Sequence, residues 1–397
     1  MRLFNAIEFE AQPWKSWFEF GNSYPVGENS IIEFLNQVSS RVLSSPEARQ
    51  FPDAATFGFF CRETNIRRYL SELSELKHMR GIGTVLHIAP GNIPINFAYS
   101  LVMGLLSGNS NILRLPTKNF DQATFLIRVL TDVANEPQHL EVSRRILLFR
   151  SDRDSKALLE LVGSSDGLVV WGGDATVEHF QMLPRKAMSR DVMFPSRVST
   201  AILSASAIEG LSPEELDKLA LGFYHDTYLV DQNACSSPSQ VVWIGDEKSY
   251  ISASSIFWKS VAHQVKSRYS TWSTTGIEKL LDVFRKVEEA GRSIKLESNS
   301  AIVTRSRDMH FRNEPLRFGA FAEVVVSNIQ ESGPFLRSNE QTVTYFGLDK
   351  QRLFECVSSL GRSNVERIVP VGKALDIGLN WDGKDTLVLL SRRIELS

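Results

Sequence analysis

Between residues 83 and 204, short runs of apolar and β-branched residues alternate with stretches of helical period. The runs are Gly83–Ile88, Ser110–Leu115, Arg145–Phe149, Gly167–Trp171 and Val198–Ser204; the helical stretches are Ile93–Leu106, Asp121–Ala134, Ser155–Val162 and Ala175–Met188. A strand that is apolar at successive positions buries both faces, as in a parallel sheet covered by helices on each side. The alternation resumes after "EGLSPEELDKLALGFYHDTYL", with strands expected at Gln240–Ile244, Ser300–Thr304, Glu323–Val326 and Thr342–Phe346. Two doubly wound α/β units in series follow, with a boundary near Ala205–Leu211. The first eighty residues read as mostly helical, and no internal repeat interrupts the pattern.

A chain of 397 residues has room for two such units at about 150 residues each. Its formal net charge of −2, without a basic stripe or a one-signed tail, argues against nucleic acid or an anionic membrane surface as partner. No apolar run approaches the roughly 20 residues that span a bilayer. The opening "MRLFNAIEFEAQPWKSW" lacks the order of a signal peptide, so a cytoplasmic location is expected. Cys61, Cys235 and Cys356 are far apart and odd in number, which points away from a disulfide framework or a zinc site. The seven histidines show no metal-ligand spacing, and no metal is expected.

Three segments carry chemistry. In "HIAPGNIPINFAYSLVMGLLSGNSNILRLPTK", Asn92 lies between Pro90 and Pro94 beyond a strand's carboxyl end, where open parallel sheets bind ligands. Its amide is placed either to donate to an oxyanion or to cap the following helix. In "VVWGGDATVEHF", a buried strand runs into Gly172-Gly173 and a helix, a turn that lets a phosphate approach the backbone; a plain tight turn reads the same way. In "YLVDQNACSSPSQVVW", Cys235 sits among small polar residues ahead of a strand, a poor place for core packing; the pattern alone reads as an inert thiol, as most lone cysteines are, or as a nucleophile.

Together the three segments resemble the aldehyde dehydrogenase superfamily and, within it, the fatty acyl-CoA reductases of bacterial luminescence operons. Asn92, Pro94, Gly108, Asn109 and Arg114 match that family's loop, helix and strand; Trp171-Gly172-Gly173 match its cofactor turn. The stretch from Gln232 to Pro238 matches its nucleophile segment, and Gly372, Ala374, Leu375 and Trp381-Asp382-Gly383 match its ending. The match runs in order from about residue 80 to 390.

The resemblance implies an aldehyde dehydrogenase-like α/β fold of two doubly wound domains with an active-site cleft between them. A cofactor domain would cover 1–205, a catalytic domain 206–365, and a segment 366–397 would pack back on the first. It implies an NADPH-dependent acyl-CoA reductase in which Cys235 forms an acyl thioester, hydride transfer releases an aldehyde, and Asn92 with the Cys235 backbone N–H holds the oxyanion. Arg114 and Lys118 would lie near the cofactor's adenosine end, Gly172 and Gly173 near its pyrophosphate, and Glu323 at its ribose. Since His87 to Phe120 contains no Asp or Glu, nothing there repels a 2′-phosphate, and NADPH is expected over NADH. The expected partners are an acyl-CoA or acyl-protein thioester, an acyl-activating synthetase subunit and a second copy of the chain.

One departure is informative. Where acid-forming relatives carry a water-activating Glu, this chain reads "MFPSRVST", Met193 to Thr200, with no carboxylate. An acyl-enzyme without that base should wait for hydride or CoA. His225-Asp226 is a candidate to deprotonate Cys235, against a solvated helix His as the plainer reading. An acyl-phosphate reductase, a non-redox cysteine acyltransferase and a non-catalytic acyl-presenting subunit remain as alternatives.

Overall fold

The computed structural model describes residues 1–12, 14–15, 23–73, 76–269, 293–298, 301–305, 316–361 and 365–395, with backbone alone at 77, 293–298 and 301–305. The chain divides into two compact units, one made of Met1–Pro195 with Ile377–Ser397 and the other of Ser196–Asp376. No described helix is long and apolar enough to cross a membrane.

The first unit contains β1 (Arg2–Phe4), β2 (Met79–Gly81), β3 (Thr84–Ile88), β4 (Ser110–Arg114), β5 (Ile146–Phe149), β6 (Gly167–Trp171) and β7 (Arg190–Phe194). Six of these form a parallel sheet in the order β1-β5-β4-β3-β6-β7. From β3 the chain winds outward through β4 and β5, then returns to the other side for β6 and β7. The sheet therefore reverses direction between β3 and β6. Residues of β3, β5 and β6 are buried throughout, as the continuous apolar runs require. One face carries Leu86, Ile88, Ile112, Leu147 and Leu168; the other packs on the helices Asn29–Ser44, Asn96–Leu106 and Asp121–Ala134.

Helix Asn96–Leu106 is buried along its whole length and lies unusually close to the sheet. A Cβ on Gly104 would fall 1.9 Å from Asn111 Oδ1 and 2.8 Å from His87 Nε2, so only glycine fits this crossing. Beneath it runs a polar chain with a forced direction. Trp171 Nε1 donates to Ser100 Oγ at 3.0 Å, and Ser100 lies 2.7 Å from His87 Nδ1. His87 Nε2 lies 3.0 Å from Asn111 Oδ1, and Asn111 Nδ2 donates to the Asn109 carbonyl. Asn111 Oδ1 can only accept, so His87 carries its proton on Nε2 and receives the Ser100 hydroxyl on Nδ1. Burial lowers the His87 pKa to about 4 and keeps the ring neutral. Asn109 ends the chain, accepting from Gly83 N and donating to Leu390 O.

The second unit contains β8 (Val198–Ser204), β9 (Pro238–Ile244), β10 (Ser293–Ser298), β11 (Ala301–Arg305), β12 (Ala320–Val326), β13 (Glu340–Phe346) and β14 (Arg367–Pro370), in the sheet order β10-β11-β12-β9-β8-β13-β14. Only the β10–β11 pair is antiparallel. Helices Pro213–Thr227 and Glu247–Arg268 cover one face around Phe223, Trp243, Phe257 and Trp258.

Two boundaries differ from the sequence expectation. Val198–Ser204 was assigned to a first domain ending at 205, but it pairs with β9 and β13 as a central strand of the second sheet. Residues 366–376 also stay with the second unit, because β14 pairs with β13. Only Ile377–Ser397 joins the first unit, where β15 (Asn380–Trp381) and β16 (Lys384–Asp385) form a small ribbon and β17 (Ser391–Arg393) pairs with β2.

Candidate active site

In the first unit, the residues singled out from sequence gather at the carboxyl ends of three neighbouring strands. Ile88 pairs with Arg114 on one side, and Val170 on the other. The loop Ala89–Pro94 therefore leaves the sheet between the end of β4 and the Gly172-Gly173 turn after β6. That is the reversal point of the sheet, where doubly wound folds hold their ligands.

Asn92 is exposed in this loop. It does not cap the helix, which begins at Asn96 after an N-cap residue, Ile95, that makes no side-chain cap bond. A Cβ on Gly91 would meet nothing within 4 Å, so the backbone here faces open space. Gly173 is the N-cap of helix Asp174–Gln181, with Asp174 in the first turn. That carboxylate opposes an anion at the helix terminus, so a pyrophosphate there would rest on backbone N–H groups alone.

Arg114 and Lys118 separate in role. Arg114 Nε and Nη2 both donate to the Ser151 carbonyl, at 3.1 and 2.8 Å, and burial lowers its pKa. Arg150 reciprocates, donating to the Pro116 carbonyl. The two arginines clamp the loops after β4 and β5 together, so Arg114 is a structural clasp first. Lys118 is exposed, its Nζ 5.0 Å from the Phe120 ring centroid.

In the second unit, Cys235 lies on a loop between helix Pro213–Thr227 and β9. It is half-buried, whereas Cys61 and Cys356 are buried. Burial pushes the Cys61 thiol up, and the Cys356 thiol donates to the Ile329 carbonyl at 3.3 Å. Cys235 is thus the accessible thiol of the three.

The loop owes its shape to Gln232. Asp231 and Gln232 both adopt left-handed backbone, at φ 52° and 54°, which a residue with a Cβ holds only when its surroundings insist. Gln232 is buried and supplies that insistence. Its Oε1 accepts from Gly319 N at 2.6 Å, and its Nε2 donates to the Pro238 and Ala320 carbonyls at 3.1 and 3.2 Å. One side chain thus ties both ends of the Cys235 turn to the start of β12.

Two carboxylates need relocation, and a third is new. Asp226 does not address Cys235: it accepts from Gly372 N at 2.6 Å and Ala374 N at 2.8 Å. One turn earlier on the same helix, a Cβ on Gly222 would lie 3.3 Å from Gly372 Cα, so helix and turn meet backbone to backbone. His225 is exposed on the helix. Glu323 is no ribose ligand, because it is buried and accepts from Trp243 Nε1, Trp258 Nε1 and Tyr250 OH at 2.6–2.8 Å. Glu340 is a carboxylate the sequence did not place beside Met193–Thr200. It pairs with Val198, touches Thr200 and the Arg337 guanidinium, and is raised in pKa by burial. Thr200 and Ser199 point to opposite faces of β8, and Ser199 is the one that reaches Cys235.

Asp226 carries a pH signature. Burial raises its carboxyl pKa from 3.8 to about 7, against the lowering pull of the two amide donors. Between those values the folded chain holds a proton that the unfolded chain has released. Its contribution is therefore complete below about pH 4 and is lost as pH rises through 7, on the order of a few kcal/mol. Asp226→Asn cannot titrate, so its melting temperature should rise relative to wild type as pH goes from 4 to 8. A constant difference across that range would refute the shift; Asp376 and Arg367 are the charged neighbours to hold unchanged.

A model of the acyl-CoA reductase (LuxC) family matches residues 61–393. The long-chain acyl-protein thioester reductase of Aliivibrio fischeri is 25% identical over 299 residues, covering 73% of this chain and 58% of its own length. Long-chain acyl-protein thioester reductase 2 of Photobacterium leiognathi is 25% identical over 307 residues, with the same coverage of 73% and 58%. The match therefore spans under two thirds of those relatives. Among solved structures, an NAD-dependent aldehyde dehydrogenase from Sinorhizobium meliloti superposes with a TM-score of 0.70 at 14% identity, over 97% of this chain and 85% of that one. Methylmalonate-semialdehyde dehydrogenase from Oceanimonas doudoroffii gives 0.68 at 12%, over 98% and 89%. These likenesses establish the fold, which is that of the aldehyde dehydrogenases.

Proposed function

The chain belongs to the acyl-CoA reductase (LuxC) family, and from that premise we propose that it reduces an acyl thioester to an aldehyde through an acyl group carried on Cys235. What supports this best is the accessible thiol on a clamped loop, the other two cysteines being buried. The Cys235 thiolate adds to the thioester carbonyl, the donor's C–S bond breaks, and the donor leaves as its thiolate, which takes from solvent the proton that Cys235 gave up. A thiolate suits both halves of the cycle, as nucleophile and as leaving group. The oxyanion formed at each stage is assigned to the Asn92 amide and the Cys235 backbone N–H.

A reduced nicotinamide, when bound, would supply hydride to the acyl carbon held on Cys235. The oxyanion left on that carbon would collapse by losing the Cys235 thiolate, which frees the aldehyde. The residues fit such a cofactor at the reversal point of the first sheet, where Gly91 faces open space and Gly173 presents backbone at a helix start. Lys118 is the side chain we assign to a 2′-phosphate, since Arg114 is held by Ser151. One charge-assisted contact contributes about 1.5–3 kcal/mol, a tenfold preference or more. NADPH should therefore exceed NADH in kcat/KM by at least about tenfold, and Lys118→Ala should erase most of that ratio. Equal efficiency with both cofactors in the wild type would end the assignment.

The stretch Met193–Thr200 carries no carboxylate to activate water, and that leads to the test of the whole reading. Aldehyde and NADP⁺ should turn over well only when CoA or another acceptor thiol is present, and acyl-CoA with NADPH should yield aldehyde. Rapid release of free acid without a thiol would mean that another group activates water. Donation by a partner synthetase and self-association belong to the same reading; size-exclusion chromatography with light scattering checks the second.

A further inference from the structure

Ser199 lies where both ladders of β8 slip. On one side Ser199 pairs with Pro238 and Thr200 with Gln240, skipping a residue of β9. On the other, Glu340 pairs with Val198 and Thr342 with Ser199, skipping Gln341. Pro238 has no N–H to give, so a regular ladder bond is missing next to the nucleophile loop. The side chain of Ser199 bridges from the β13 slip to the nucleophile loop. Its Oγ accepts from Thr342 N at 3.1 Å and donates to the Cys235 carbonyl at 2.7 Å. The direction is forced, because Thr342 N can only donate and leaves the hydroxyl proton for Cys235. Ser199 is fully buried, so water does not compete for either contact.

We propose that Ser199 is a positioning residue for Cys235, orienting the nucleophile's own peptide from the rigid centre of the second sheet. Gln232 shapes the loop from its start, whereas Ser199 grips the reacting residue itself. A bond to the Cys235 carbonyl fixes the Cys235–Ser236 peptide plane, and with it the direction in which the thiol leaves Cα. The hydroxyl therefore matters for approach to a carbonyl carbon, which tolerates little angular error, and hardly at all for attack on a small flexible alkylating agent. The inference rests on the covalent acylation proposed above, and the two fail in different ways.

The test compares two reactions of one thiol in the full chain. In Ser199→Ala, acylation of Cys235 by radiolabelled acyl-CoA without cofactor should slow by roughly 10- to 100-fold. Alkylation by iodoacetamide should stay within about threefold of wild type. Ser199→Thr, which keeps the hydroxyl, should acylate within about threefold of wild type, and Thr200→Val, which removes a neighbouring buried hydroxyl, should do the same. Unchanged acylation in Ser199→Ala overturns the proposal. So does a parallel loss of both reactions with a lowered melting temperature, which would mark a role in folding alone, and so does a Thr variant as slow as the Ala variant. A wild type whose Cys235 is not acylated overturns the covalent reading first.

Discussion

Replacing Cys235 with alanine is expected to abolish acylation by labelled acyl-CoA and to lower aldehyde formation by roughly 10³-fold or more. The magnitude follows from what the substitution removes, which is the bond-forming atom itself. Melting should hardly change, because the side chain is only half-buried and its loop is held by other groups. The wild-type adduct should be released by hydroxylamine, as a thioester is, and should map to the peptide carrying Cys235. Neither remaining thiol can stand in: Cys61 is sealed and raised in pKa, and Cys356 is bonded to the Ile329 carbonyl. Label that persists in Cys235→Ala, on either of them, would sink the assignment of the nucleophile.

Gln232→Ala should be the most damaging substitution outside the thiol itself. It leaves the Gly319 N–H and the Pro238 and Ala320 carbonyls without their side-chain partner in a buried place. At about 1–3 kcal/mol for each stranded group, some of which will find other bonds, a loss of about 3 kcal/mol of stability is expected. The left-handed pair at Asp231 and Gln232 would then lack what holds it, and the loop should relax to ordinary backbone. Acylation should fall by roughly 100-fold as the thiol moves by an ångström or so. Gln232→Glu separates the two effects, because a carboxylate can still accept from Gly319 but cannot donate to the two carbonyls. It should lie between wild type and alanine in both melting temperature and acylation rate. If alanine matched wild type in both, the clamp would be ornamental.

Much of the architecture was legible along the chain. Continuous apolar runs such as Gly167–Trp171 could only be buried strands, and the observed β6 has the same bounds. The strands missed were the edges of the two large sheets, Arg2–Phe4, Arg190–Phe194, Ser293–Ser298 and Arg367–Pro370; the first and the last are short and partly exposed, so they carry no periodic signal. The seat of Cys235 was legible as well, because a thiol among small polar residues ahead of a strand has little packing to do. Asn92 was placed correctly beyond β3, although its alternative as a helix cap fell away once the helix proved to begin at Asn96.

What stayed hidden were the partners of polar side chains across long stretches of chain. Val198–Ser204 was recognisable as a strand, yet its membership of the second sheet depends on pairing with residues 238–244 and 340–346. Arg114 reads as a free cation until the loop after β5 brings the Ser151 carbonyl to it. His225-Asp226 reads as a solvated helix site or as a helper of the nearby cysteine until the Gly222–Gly372 contact brings a turn 146 residues away under the Asp226 carboxylate. Ser199 gave no signal at all, since its two hydrogen bonds sit at register slips that only a folded sheet possesses. Burial and backbone preference are properties of neighbours in sequence, so the chain itself determined most of its strands and helices and the half-buried seat of Cys235. Register and hydrogen-bond partnership depend on which strands lie side by side, and the tertiary structure alone decided those.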